Sequence, residues 1–176
     1  MRYTFVLSAL CATVLLTGCG KKIDFGQDAG ITMRDERNVP QGAGDPTDWT
    51  TDGTWNKTER GLFHLAPAVD LNGSQQGGVS GLSFYPNPVS SATRSAHFNS
   101  GTAQADMQLK LVFVDRKYKV VLEQDAQAAK GKNMLFALTL PADKFKADAT
   151  YRLYYVYYGA DGTLYYKGHG DIRIDE

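Results

Sequence analysis

The residues best suited to chemistry in this 176-residue chain are three histidines, His64, His97 and His169, and they lie far apart in the sequence. None belongs to a His-Glu-x-x-His pattern and no paired cysteines accompany them, so a zinc site is not expected. The most site-like fragment is Gly168-His169-Gly170-Asp171, where flexible glycines could expose an imidazole beside a carboxylate for proton transfer or metal binding. The same residues also read as a strand bulge or bend in which the glycines avoid a crowded neighbour and His169 is simply solvated. A hydrolase centred on His169 and Asp171 would need a nucleophile, yet Ser90, Ser91, Ser95 and Ser100 lie outside any Gly-x-Ser-x-Gly elbow. Neither nucleotide-binding glycine fingerprint occurs, and Asp24 to Asp28 lacks the spacing of a calcium loop. No metal and no cofactor is expected, and the chain reads as non-catalytic.

Tyrosines offer binding chemistry instead. Seven of the nine beyond residue 18 fall between Tyr151 and Tyr166. Strand alternation puts Tyr151, Leu153, Tyr155 and Tyr157 on one face, and Arg152, Tyr154, Val156 and Tyr158 on the other. One face is core. The other is either an exposed aromatic ribbon, with Tyr154, Tyr158, Tyr166 and His169 suited to a sugar ring or an extended peptide, or a set of cross-strand pairs beneath Trp49 or Trp55.

Cys19 carries a third kind of chemistry. Met1-Arg2 is a minimal basic start, and the 14-residue apolar stretch Tyr3 to Leu16 has the length of a secretory h-region rather than of a membrane span. Leu16-Thr17-Gly18-Cys19 then resembles the lipobox of bacterial lipoproteins. The resemblance implies cleavage before Cys19 by signal peptidase II, a diacylglyceryl thioether on its sulfur and acylation of the freed amine. Two or more acyl chains anchor stably where one does not. Gly20 stands where an inner-membrane retention signal would place Asp, which implies the outer membrane, on either its periplasmic or its outer side. Cys11 leaves with the signal peptide and Cys19 takes lipid, so the domain has no disulfide to rely on.

The chain has 19 Lys and Arg against 19 Asp and Glu. Beyond residue 18 the balance is 18 against 19, which argues against a nucleic-acid partner. Residues 19–48 mix Gly26, Gly30, Gly42, Gly44, Pro40 and Pro46 with charges and read as a lipidated cysteine followed by a flexible tether, spanning on the order of 30 Å, or, for the C-terminal half, as an irregular segment packed on the domain. Residues 49–78 contain both tryptophans and a capping box, Asn56-Lys57-Thr58-Glu59, which predicts a short helix over about Lys57 to Leu62 and a loop packed on the domain.

Residues 79–176 show short apolar runs separated by turn residues, the pattern of an antiparallel β-sandwich. Seven strands are predicted: Val79 to Tyr85, Thr93 to Phe98, Met107 to Asp115, Tyr118 to Glu123, Met134 to Leu140, Thr150 to Tyr158 and Thr163 to Ile174. Met107, Leu109, Leu111 and Phe113 alternate with Gln108, Lys110 and Val112, a half-buried strand with one wet face. Ala160-Asp161-Gly162 predicts a tight hairpin between the last two.

Asp148-Ala149-Thr150-Tyr151-Arg152-Leu153 resembles the tyrosine corner of immunoglobulin-like sandwiches, with Leu153 where antibody domains carry a cysteine. Phe84-Tyr85-Pro86-Asn87-Pro88-Val89 resembles the opening of the small sandwich domains used by type IX secretion in Bacteroidota, although the chain ends without their basic tail. Physically, Pro86 and Pro88 end a strand. The layout as a whole is similar to small lipoproteins of that bacterial group. The expectation is an all-β chain: signal peptide 1–18, tether 19–48, Trp-containing segment 49–78 and one immunoglobulin-like antiparallel sandwich 79–176. As a lipid-anchored outer-membrane protein it would act as an envelope interaction module, with a protein or glycan partner.

Overall fold

The computed structural model describes residues 22–26 and 30–176. The signal peptide and the lipobox residues Leu16, Thr17, Gly18 and Cys19 lie outside the described residues.

Among the described residues nine strands and one helical turn follow in the order β1 (Thr50–Thr51), α1 (Lys57–Arg60), β2 (Ser83–Tyr85), β3 (Val89–Ser90), β4 (Ser95–Ser100), β5 (Met107–Val114), β6 (Val120–Ala128), β7 (Met134–Thr139), β8 (Ala149–Tyr158) and β9 (Leu164–Asp175). They form two sheets. The small one has the order β2-β4-β7, and the large one β1-β9-β8-β5-β6 with β3 also on β9. All pairings are antiparallel except β3 on β9. The seven predicted strands are present, together with the two short strands β1 and β3 that carry no periodicity of their own. Pro86-Asn87-Pro88 falls between β2 and β3, where the missing proline N–H groups end one pairing and the first edge strand moves from the small sheet to the large one.

The two sheets close over an apolar core. Leu109, Leu111 and Phe113 of β5, and Leu153, Tyr155 and Tyr157 of β8, meet Phe84, Ala96, Phe98 and Leu138 of the small sheet. On β5 this is the apolar face that alternation marked, and on β8 it is one of the two faces that alternation separated. The tyrosine corner forms as in immunoglobulin-like sandwiches: Lys146 N–H donates to the Tyr151 hydroxyl over 2.7 Å, holding the β7–β8 loop to the start of β8. The final hairpin closes through Gly159 N–H to the Thr163 carbonyl at 2.9 Å, with Gly162 at φ +84.

Three expectations need correction. Residues 30–48 are not a flexible tether. Arg34 exchanges backbone hydrogen bonds with Asn87 (2.8 and 2.9 Å), and the Asn87 side chain donates to the carbonyls of Thr32 and Asp171. At the start of the described chain, Ile23 is buried against Val112 and Val114. The outer face of β5 is therefore wet only at Gln108 and Lys110, since Val112 is covered. The helix is also shorter than expected, a single turn over Lys57–Arg60. Its capping box is complete, with Asn56 accepting from Thr58 and Glu59 N–H and Glu59 accepting from Asn56 N–H.

Trp49 is the largest departure. It has a left-handed backbone (φ +58) and enters the inter-sheet core from outside the sandwich. Its ring stacks on Phe84 at 5.8 Å and on Tyr155 at 6.4 Å. Antibody domains fill this layer with a tryptophan from within the sandwich; here a preceding segment supplies it.

Replacing Tyr151 with Phe removes the corner bond without opening a cavity. The expected loss is about 1 kcal/mol, read as a lower urea midpoint with an unchanged slope.

Candidate functional site

His169 lies on β9 opposite Tyr154 of β8, and the parity of the two strands puts Lys167, His169 and Asp171 on the outer face with Val156, Tyr154 and Arg152. That face is roofed by the segment that follows β1. The roof contributes Trp55, Leu62, Phe63 and Leu71, which form a second apolar cluster with Val112, Val114, Tyr154, Val156, Tyr158 and Leu164.

At the seam between sheet and roof, His169 Nδ1 lies 2.8 and 2.9 Å from the two carboxylate oxygens of Asp52. In the tautomer with the proton on Nδ1 the ring donates to this carboxylate. Asp52 also receives the indole N–H of Trp55 at 2.6 Å. The Trp55 ring meets Tyr154 edge-on at 5.5 Å and stacks on Phe63 at 5.3 Å. One carboxylate therefore connects β9 to the aromatic roof.

Asp171, the expected partner of His169, is engaged elsewhere. Arg152 grips it in a bidentate pair with both bonds at 2.7 Å. Burial pushes the Asp171 carboxyl up despite this pairing. Lys167 is also buried, which pushes its ammonium pKa down; it sits over the Trp55 ring at 4.6 Å and donates to the carbonyls of Asp52 and Gly53.

The glycines flanking His169 have a steric reason. A Cβ on Gly170 would lie 2.5 Å from the Trp49 indole, and one on Gly168 would collide with the Thr50 carbonyl. Thr50 and Thr51 pair with His169 and Gly168, so the bare backbone of β9 is what lets β1 and Trp49 approach. The glycines therefore avoid a crowded neighbour, as one reading of Gly168-His169-Gly170 expected, but β9 keeps its register there without a bulge and His169 is held by Asp52 rather than simply solvated.

The exposed tyrosine ribbon requires correction. Tyr154 is 0% and Tyr158 5% exposed, both beneath the roof, because a β-sheet face this apolar is not left in water. Tyr166 is half-buried on the opposite, inner face, stacked on Tyr155 at 6.3 Å. Tyr154 and His169 are brought together, with ring centroids 5.8 Å apart, but Tyr166 is not. His97 stacks on Tyr85 at 5.2 Å and His64 is exposed in a loop, both away from His169. Among the described residues no group of three His, Cys, Asp or Glu is arranged to hold a metal.

Asp52 and Asp48 had no signal in the sequence; each contacts β9 across more than a hundred residues. Asp48 is buried, and its carboxylate accepts Asp171 N–H and Thr32 N–H, both at 2.8 Å. Burial outweighs those two bonds and raises its pKa to about 7. The arrangement can hold a neutral or charged carboxyl, an imidazole and a buried ammonium in fixed places along one seam. No protein-family model matches the chain, and no curated protein matches it.

Two outcomes follow from this geometry. Gly170→Ala should expel Trp49 and lower stability by about 3 kcal/mol or more, measured by urea unfolding with the tryptophan near-ultraviolet signal as a second probe. Asp48 binds its proton more tightly in the folded state, so its contribution should make the protein less stable as pH rises from about 4 to about 7 and level beyond that. At the full shift this amounts to roughly 4 kcal/mol. Asp48→Asn should flatten the slope of urea midpoint against pH; an unchanged slope would show that the carboxyl does not titrate there.

Proposed function

We propose that the chain is a lipid-anchored outer-membrane lipoprotein whose sandwich serves as a non-catalytic envelope interaction module. The observation that carries the non-catalytic part is how the reactive side chains are engaged. His169 is held by Asp52 and Lys167 by two carbonyls and an indole at the seam that fastens the roof to the sheet, and Asp171 is held by Arg152 across β8 and β9. These groups act as struts. The anchor rests on the lipobox resemblance at Leu16-Thr17-Gly18-Cys19 and the apolar stretch before it.

An interaction surface is offered by the free edges of β6 and β7, which pair with no strand on their outer sides among the described residues. β6 runs for nine residues with Glu123 and Asp125 exposed, and on β7 Leu135 is 59% exposed. Strand addition along such an edge uses main-chain hydrogen bonds for affinity and alternate side chains for selectivity. The partner in this reading is another envelope protein.

The anchor is tested by globomycin treatment of expressing cells with mass spectrometry of the N-terminal peptide, wild type beside Cys19→Ala. Precursor that accumulates only under the inhibitor and a diacylglyceryl-modified Cys19 without it are expected, whereas the variant should carry no diacylglyceryl group and remain unprocessed with or without the inhibitor. A freely secreted, unmodified product would overturn the reading.

A further inference from the structure

The chain enters the domain at one end of the sandwich. Ile23 N–H donates to the Arg116 carbonyl at 2.8 Å, and Arg116 Nε donates back to the Ile23 carbonyl at 3.2 Å. With its side chain 2% exposed in the outer apolar cluster, Ile23 is clipped to the β5–β6 turn. Only Gly20, Lys21 and Lys22 separate it from Cys19. A chain of that length spans at most about 14 Å. β5 alone, with eight residues, is about 27 Å long. A lipid on Cys19 would therefore hold the β5–β6 end at the bilayer, and the β6–β7 loop, at the other end of β6, would point away.

The lipid-proximal end is built for anions. Arg116, Lys117 and Lys119 of the β5–β6 turn and Lys144 and Lys146 of the β7–β8 loop are all exposed. Lys119, Lys144 and Lys146 line a cavity of about 540 Å³ between the two loops, floored by Val121 and Tyr151. None of the three ammonium groups lies within ion-pair distance of a carboxylate among the described residues. Of the two acids lining the cavity, Asp115 turns its carboxylate to the N–H groups of Lys117 and Lys119, and Asp143 is exposed. The nearby Asp148 faces Arg173 at 3.9 Å.

The geometry points to this end of the sandwich as a docking surface for anionic lipid headgroups, with phosphodiester oxygens held by Lys119, Lys144 and Lys146. The inference rests on the lipidation of Cys19 proposed above, which supplies the proximity. Each lysine near an anionic surface contributes modestly, and several together fix the domain's orientation. Docked this way, β6 and β7 run away from the bilayer and their free edges stay open along their length.

The test is amine-labelling of the mature lipidated protein in phosphatidylcholine vesicles with and without phosphatidylglycerol. Mass spectrometry would compare labelling rates at Lys119, Lys144 and Lys146 with those at Lys130 and Lys132 on the β6–β7 loop. Expected is a slowing of about fivefold at the first three with phosphatidylglycerol, reversed by high salt, and none at the last two. Equal rates in both vesicles, with the diacylglyceryl group present on Cys19 in the same spectra, would overturn the docking surface and leave the anchor standing. Absence of lipid on Cys19 would overturn both. Equivalent protection by inorganic phosphate in phosphatidylcholine vesicles would overturn the membrane surface in favour of a soluble-anion site.

Discussion

The outer edge of β9 is the constraint on which the rest of this structure depends. A terminal strand twelve residues long leaves a row of backbone donors and acceptors that must be paired or exposed to other chains. Here the row is completed piece by piece. Gln76 and Gly77 N–H donate to the Leu164 and Tyr165 carbonyls, the Gln75 side chain takes Lys167 N–H, β1 pairs at Gly168 and His169, the Asp48 carboxylate takes Asp171 N–H, the Asn87 side chain takes Arg173 N–H and gives to the Asp171 carbonyl, and β3 pairs at Ile174 and Asp175. Three of these partners, Gln75, Asp48 and Asn87, are side chains standing in for a strand backbone. Because Asp48 is fixed on β9, the next residue has little freedom: Trp49 adopts φ +58, a backbone conformation that costs a non-glycine residue about 1 kcal/mol or more. The strain is offset by the burial of a whole indole between Phe84 and Tyr155.

Much of the sandwich was legible in the sequence, and the reason is locality. Alternation marks the core face of β5 and divides β8 into two faces; a capping box or an Asp-Gly turn is contained within four or five residues; the tyrosine corner needs only Lys146 and Tyr151, five apart. What was hidden is nonlocal. No pattern near Asp52 announces His169, 117 residues away, and none near Trp49 announces the inter-sheet core. Composition misled at residues 30–48, where glycines, prolines and charges look like a solvated coil. Thr32, Arg34 and Asp48 pack there through backbone and carboxylate hydrogen bonds, which leave no hydrophobic periodicity. The Gly168-His169-Gly170 fragment was visible as unusual, yet its cause is a neighbour from the far end of the chain.

The outer face of the large sheet explains why the roof exists. Val112, Val114, Tyr154, Val156 and Tyr158 make that face as apolar as a core, and the single helical turn with its flanking loops covers it. Apolar contact alone would allow the roof to slide. Polar pairs at the seam set its position: Asp52 with His169 and Trp55, the Tyr154 hydroxyl with Glu59 at 3.3 Å, and Lys167 with the carbonyls of Asp52 and Gly53. Buried polar groups that find all their partners in one arrangement, and lose them in any other, select that arrangement.

Covering this face from within the same chain decides what remains for other molecules. The β9 edge is closed by residues 48–52, 75–77 and 87–91, and the outer face by the roof, so both are removed from intermolecular use. The open backbone lies on the opposite flank, along β6 and β7. There Lys110 on β5 reaches across to Glu123 at 2.8 Å and Asp125 at 3.2 Å. Charge on an edge strand discourages indiscriminate pairing, since an apolar or acidic strand laid beside it would desolvate or repel those carboxylates. A strand offering basic side chains at alternate positions would meet Glu123 and Asp125 on the same face and join the ladder. The charge on this open edge is set by Glu123 and Asp125 of β6, whereas the β9 edge and the outer face are already occupied by segments of the same chain.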